Sequence, residues 1–160
     1  MVRINQILHH AEYQKNLEEI AQCESKRVFC KHDMGHFLDV ARIAQLINLK
    51  ERLDLSEELI YATALLHDIG RHKQYIEGIP HEKASIPIAE EILGSCGFDQ
   101  NEIEIIRNAI KNHRTSESKN MKDLTGIIYR ADKLSRPCFC CPMEYQCNWT
   151  EDKKNRSLLQ

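Results

Sequence analysis

Apolar residues recur at helical spacing along most of the chain. Ile7, Leu8, Ala11, Leu17 and Ile20 fall at helical spacings with no glycine or proline among them, which predicts a first helix over Asn5 to Ala21. Asp33 can cap a second helix, running to about Leu49, on which Phe37, Val40, Ala41, Ala44 and Ile47 form an apolar stripe. Ser56 followed by Glu57 and Glu58 places a capping hydroxyl and two carboxylates at a positive helix end. A third helix is expected over Glu57 to Ile69, with Gly70 as its stop. A fourth starts near Pro80 and His81 and ends at Gly94, with Pro87 inside it as an expected kink. Asp99 and Glu102 form a capping-box pattern ahead of Ile103, Ile106, Ala109 and Ile110, which predicts a fifth helix to about Asn112. A sixth spans Leu124 to Leu134, before Pro137. The expectation is an all-α chain: one compact bundle of about six helices over 1–136 and a short Cys-rich appendage over 137–160. No internal repeat or low-complexity tract interrupts this plan.

Composition narrows the picture. With 160 residues the chain holds one domain with a real core, and 6 Gly and 4 Pro leave few helix interruptions. A net charge of -2 removes any bulk electrostatic reason to bind a polyanion, so no broad nucleic-acid face is expected. Met1 to His10 mixes Arg3, Asn5, Gln6 and two histidines into its apolar residues, unlike a signal peptide, and no stretch approaches membrane-spanning length. A cytoplasmic protein without membrane contact is expected, its 7 cysteines reduced.

The chemistry concentrates on His67 and Asp68. They follow the apolar run Ala62, Ala64, Leu65, Leu66 and precede Ile69, so two polar side chains enter a helix that should be buried. A buried carboxylate without partners costs several kcal/mol, and a cation compensates it directly. A mere capping role fits poorly, because the negative end of a helix repels aspartate. Imidazole and carboxylate suit Fe, Mn, Co, Ni or Zn.

These residues, with His36 in GHFLDVARIA, the doublet in ALLHDIGRH and Asp132 in YRADKLS, resemble the HD metal-dependent phosphohydrolase superfamily over about Arg27 to Ser135. The resemblance implies that His36, His67, Asp68 and Asp132 are metal ligands. His81, after Gly78, Ile79 and Pro80, and His113, in IKNHR, extend the order to that of dinuclear HD proteins, including bacterial HD-type hydrolases of diadenosine tetraphosphate. In that arrangement Asp68 bridges two metals while His81 and His113 help hold the second. His32, His72, His9 and His10 are left outside the ligand set.

Arg71, directly after Gly70, is the leading candidate to clamp phosphate oxygens, since a guanidinium binds two at once. Lys83 and Arg114 are further substrate-binding candidates, and Arg27 and Lys133 weaker ones. The implied function is hydrolysis of a phosphate ester or anhydride by metal-activated water, with Asp68 and Arg71 catalytic and one or two divalent transition metals as cofactor. The substrate class is a small phosphorylated molecule, a nucleotide or dinucleoside polyphosphate by resemblance alone. Two alternatives stand beside it: a dinuclear iron oxygenase with the same ligand order, and a non-catalytic nucleotide-binding regulatory module. A homodimer is compatible with the sequence.

Cys138, Cys140, Cys141 and Cys147 place four thiols within ten residues, a density that suits zinc or an iron–sulfur cluster, although the spacing is not a standard paired C-x-x-C framework. Free or oxidation-sensitive thiols are the alternative. Trp149 is expected to pack this appendage onto the core, and Cys23, Cys30 and Cys96 read as scattered small residues.

Overall fold

A computed structural model describes residues 1–158; Leu159 and Gln160, the end of the expected appendage, lie outside the described residues. These fold into eight α-helices, α1 (Val2–His9), α2 (Ala11–Cys23), α3 (Met34–Glu51), α4 (Glu57–Leu66), α5 (Arg71–Glu77), α6 (His81–Ser95), α7 (Gln100–Asn112) and α8 (Leu124–Leu134), with no strand among the described residues. The fold class is therefore all-α, as expected, with two more helices than the periodicity shows.

One extra helix comes from a break that carries no breaker residue, the other from a short helix that follows directly on the Gly70 stop. The expected first helix is two: His10 is extended (φ -69, ψ 132), and its Nδ1 accepts from the amide of Glu12, starting α2 afresh. The expected third helix stops at Leu66 rather than Ile69. Residues 67–70 form tight turns, with Arg71 N donating to Asp68 O at 2.9 Å, and α5 follows at once. Gly70 does not end the helix by a left-handed conformation, since its φ is -88. It is required because the α6 backbone passes directly over it: a Cβ at Gly70 would lie 2.5 Å from Ala84 C and from Ser85 N. Ser85 Oγ accepts from Gly70 N at 2.9 Å, which fastens the doublet's turn to α6.

The remaining elements follow their caps. Asp33 accepts from His36 N at 3.0 Å to start α3. Asp99 and Glu102 make the full reciprocal capping box of α7, each at 2.9 Å. Pro87 sits on the exposed side of α6, which continues to Ser95. The core is built from facing stripes: Phe37, Val40, Ala41 and Ala44 of α3; Ile60, Leu65 and Leu66 of α4; Ile106 and Ile110 of α7; and Ile127 and Ile128 of α8, all fully buried. α3 packs on α4 and α8, while α6 packs on α7 and α5. Arg3 ties α1 to α4 and α7 through ion pairs to Glu58 (2.8 Å) and Glu102 (2.6 Å).

After α8 the chain makes three short 3-10 turns and folds back onto the bundle. Asn155 Nδ2 donates to Leu134 O at 2.8 Å, Phe139 N donates to Asn155 O at 3.1 Å, and Arg136 Nη1 donates to Lys31 O at 2.8 Å.

Candidate metal centre

α3, the turn after α4, the start of α6, the end of α7 and the last turn of α8 converge on one buried cluster of histidines and aspartates. Two groups have their ligand atoms within 4.8 Å of one another: His36, His67 and Asp132, and Asp68, His81 and His113. Asp68 joins them. Its Oδ2 lies 3.5 Å from His67 Nε2, while its Oδ1 lies 3.0 Å from His81 Nε2 and 3.6 Å from His113 Nε2. Asp132 Oδ1 is 3.5 Å from His36 Nε2 and 4.0 Å from His67 Nε2.

The tautomers can be read from what Nδ1 meets. His67 Nδ1 faces Ala64 O at 2.7 Å and His113 Nδ1 faces Ile110 O at 2.6 Å, whereas His81 Nδ1 lies between Gln74 Oε1 at 2.6 Å and the donor Arg71 Nη1 at 2.5 Å. His36 Nδ1 meets Ser135 Oγ at 3.1 Å, whose own hydrogen goes to Asp132 O at 2.7 Å, so the imidazole donates here too. An acceptor at Nδ1 fixes the proton there and leaves Nε2 a bare lone pair. The cluster therefore gathers imidazole nitrogens and carboxylate oxygens face to face, with His36 Nε2 also within 3.0 Å of the Arg136 guanidinium. His67 Nε2 is buried with no hydrogen-bond partner, and Asp68 Oδ1 is buried with His81 Nε2 3.0 Å away. Orphaned acceptors of this kind are costly and call for a cation.

Burial also favours the neutral form of His36, His67 and His81. It lowers His67 to about 4, and at His36 burial followed by the nearby Arg136 charge lowers the pKa to about 2. His81 is lowered chiefly by burial as well. Burial would raise the two aspartates, but the histidines around Asp68, and Lys133 beside Asp132, outweigh it and hold both well below the usual carboxylate range. Neutral imidazole and ionised carboxylate are the forms that bind metal. The donor set thus fits divalent cations, with Asp68 standing between the two groups.

Two residues that the sequence left aside belong to this site. His32 is buried, its Nε2 3.6 Å from Asp68 Oδ2 and its Nδ1 2.5 Å from Glu24 Oε1. Tyr75 Oη donates to the same Glu24 oxygen at 2.6 Å. Burial would raise Glu24, but the bonds from His32 and Tyr75 hold it down at about 2. The carboxylate–histidine pairing spans eight residues across a loop, so no helical spacing announces it. Arg136 is the second: its Nη2 lies 3.0 Å from His36 Nε2 and 3.9 Å from Asp132 Oδ1.

A small cleft of about 150 Å³ opens onto Asp68 and Asp132, with Arg71, Arg114, Lys133 and Arg136 on its walls. Arg71 lies against the His81 ring and is anchored near Tyr75. Burial would lower its pKa, but the Asp68 charge raises it overall. Arg114 reaches the rim, paired with Glu82 at 3.2 Å. Lys133 Nζ donates to Asp132 Oδ2 at 2.7 Å and to His113 O at 3.2 Å. The structure does not bring Lys83 there: it is exposed on α6 and absent from the cleft walls, because the helix turns it away from the face that presents His81. His72 is buried apart from the cluster and pairs with Glu19 at 3.0 Å, while His9 and His10 stay on the N-terminal helices.

A helical bundle that gathers histidines and a His-Asp doublet into adjoining cation sites is the architecture of an HD domain. Residues 34–136, well over half of the chain, match the family model described as HD domain, and the chain belongs to that family. Over 155 residues it is 50% identical to an uncharacterized protein of Clostridium beijerinckii, covering 97% of each chain. In structure it is similar to a predicted HD superfamily hydrolase from an uncultured Thermotogales bacterium, with a TM-score of 0.62 and 26% identity over 89% of this chain and 81% of that one.

Proposed function

We propose that the chain is a metal-dependent phosphohydrolase that cleaves a phosphate ester or anhydride in a small phosphorylated molecule, with a nucleotide or dinucleoside polyphosphate as the substrate class. One observation carries the reading: buried imidazoles and carboxylates converge, with His67 Nε2 unpartnered among them, beside a cleft walled by guanidinium and ammonium groups. His36, His67 and Asp132 would hold one divalent cation and His81 and His113 another, with Asp68 shared and His32 facing its outer oxygen. Bound divalent cations supply Lewis acidity toward phosphoryl oxygens and lower the pKa of water.

The chain's own groups supply the rest. Arg71 can present its fork to two phosphoryl oxygens, because its guanidinium lies beside Asp68 and faces the cleft. Arg136 and Lys133 stabilise charge on the Asp132 side, where proximity to fixed cations counts most in a site partly closed to water. Arg114, exposed at the rim, meets the distal part of a longer phosphate chain. The cleft carries more cationic side chains than a single phosphate ester needs, which favours a polyphosphate. The hydrolase named in the related structure supports the same reaction class.

We place the protein in the cytoplasm; no helix is long and apolar enough to cross a membrane among the described residues. The test is a screen of phosphorylated nucleotides under anaerobic conditions with iron, manganese or cobalt supplied. Metal-dependent release of phosphate or of shorter nucleotides supports hydrolysis. Oxygen consumption with an organic substrate in air, and no nucleotide cleavage, would point to the dinuclear iron oxygenase, and tight nucleotide binding without turnover to a regulatory module.

A further inference from the structure

The thiols of the C-terminal segment do not gather as their sequence order suggests. Cys140 is exposed, with its Sγ donating to Pro137 O at 3.5 Å. Cys30, from the loop before α3 and more than a hundred residues away in sequence, takes its place: Cys30, Cys138, Cys141 and Cys147 line a single cavity of about 430 Å³. With Cys140 set aside, Cys138 and Cys141 form a C-x-x-C pair, and Cys147 follows six residues later. Cys138 is buried and the other three are half-buried.

We propose that Cys30, Cys138, Cys141 and Cys147 bind a [4Fe–4S] cluster, at a site separate from the histidine and aspartate centre. A single zinc ion fits less well. Bonds of about 2.3 Å in a tetrahedron hold four sulfurs about 3.8 Å apart. Here no three of the sulfurs lie within 4.8 Å of one another. A four-iron cube binds each thiolate at a different corner, so it takes sulfurs set farther apart than one ion allows, in a cavity far larger than one ion. Arg27, Arg136 and Lys154 stand around the same cavity and offset the negative charge of a thiolate-bound cluster.

The position gives the cluster a task. His32, Arg71, Arg136 and Trp149 line both this cavity and the catalytic cleft. Trp149 and Lys153 reach that cleft from the segment beyond α8, which the cluster would clip to the loop that carries Cys30 and His32. The inference does not rest on the phosphohydrolase reading, since acid-labile sulfide belongs to the thiolate site alone and reports on it whatever the histidine centre does.

The test uses the full chain purified without oxygen. About four acid-labile sulfides per chain are expected, with the broad visible absorption of iron–thiolate charge transfer. Cys30→Ser and Cys147→Ser should lose most of both signals with helical circular dichroism retained, while Cys140→Ser and Cys23→Ser keep them. Zinc without sulfide, no metal on the thiols, or loss of sulfide in Cys140→Ser equal to that in Cys30→Ser would overturn the proposal. The sulfide content of the unsubstituted protein decides the matter even if a serine variant fails to fold.

Discussion

Gly70→Ala tests how the fold sets the site. The added Cβ would lie 2.5 Å from Ala84 C and Ser85 N and 2.9 Å from Ala84 Cβ, nearly an ångström short of ordinary contact with backbone that cannot rotate away. α6 must move off the His67–Asp68 turn, and the buried bond from Gly70 N to Ser85 Oγ stretches with it. Overpacking of this kind costs about 1 to 3 kcal/mol, and a weakened buried hydrogen bond adds about 1 kcal/mol. The displacement also carries His81, the first residue of α6, away from Asp68 Oδ1, now 3.0 Å distant. Urea denaturation of the metal-free protein should show a lower midpoint at unchanged slope, and metal titration should show the Asp68, His81 and His113 position weakened at least tenfold. The His36, His67 and Asp132 position, held by α3, α4 and α8, should change less. A variant with unchanged midpoint and equal metal affinity would refute the claim that this close approach positions the doublet.

Two further outcomes are expected. Arg71→Lys keeps the charge but loses the planar fork, and should lower kcat/KM at least tenfold while metal content stays constant; full activity would remove Arg71 from substrate binding. His67 is lowered from 6.5 to about 4 by burial, so folding favours its neutral form, and the stability this contributes is present above pH 6.5 and lost as pH falls toward 4. For so deeply buried a group the loss is on the order of 3 kcal/mol, and Asp68 and Asp132, also depressed, lose stability in the same direction at still lower pH. Denaturant midpoints of metal-free protein that stay flat from pH 7 to about pH 4.5 would contradict it.

Much of this architecture is legible in local sequence because its causes are local. Asp33, Ser56 and the Asp99–Glu102 box mark helix starts by chemistry within three residues of the cap. The break at His10 is not legible, since a histidine cap leaves the helical periodicity on either side intact. The end of α4 is hidden for a similar reason: residues 67–70 turn because α6 lies on them, a tertiary contact. At the site, the adjacent polar pair inside an apolar run exposes the doublet, whereas His32 draws its importance from Glu24 and Tyr75, distant in sequence. Cys30 is the same case, an isolated cysteine until the chain beyond α8 folds back over it.

The central claim is that converging, unprotonated histidine and aspartate side chains grip divalent cations that Asp68 bridges. Metal content per chain, measured after stripping and reloading with manganese or iron, tests it most directly when Asp68→Asn is compared with the unsubstituted protein. The account predicts about two ions at the histidine centre of the unsubstituted chain, and loss of one or both in Asp68→Asn with the helical signal unchanged. Full metal occupancy in Asp68→Asn, or a reloaded native chain that binds none, would contradict it.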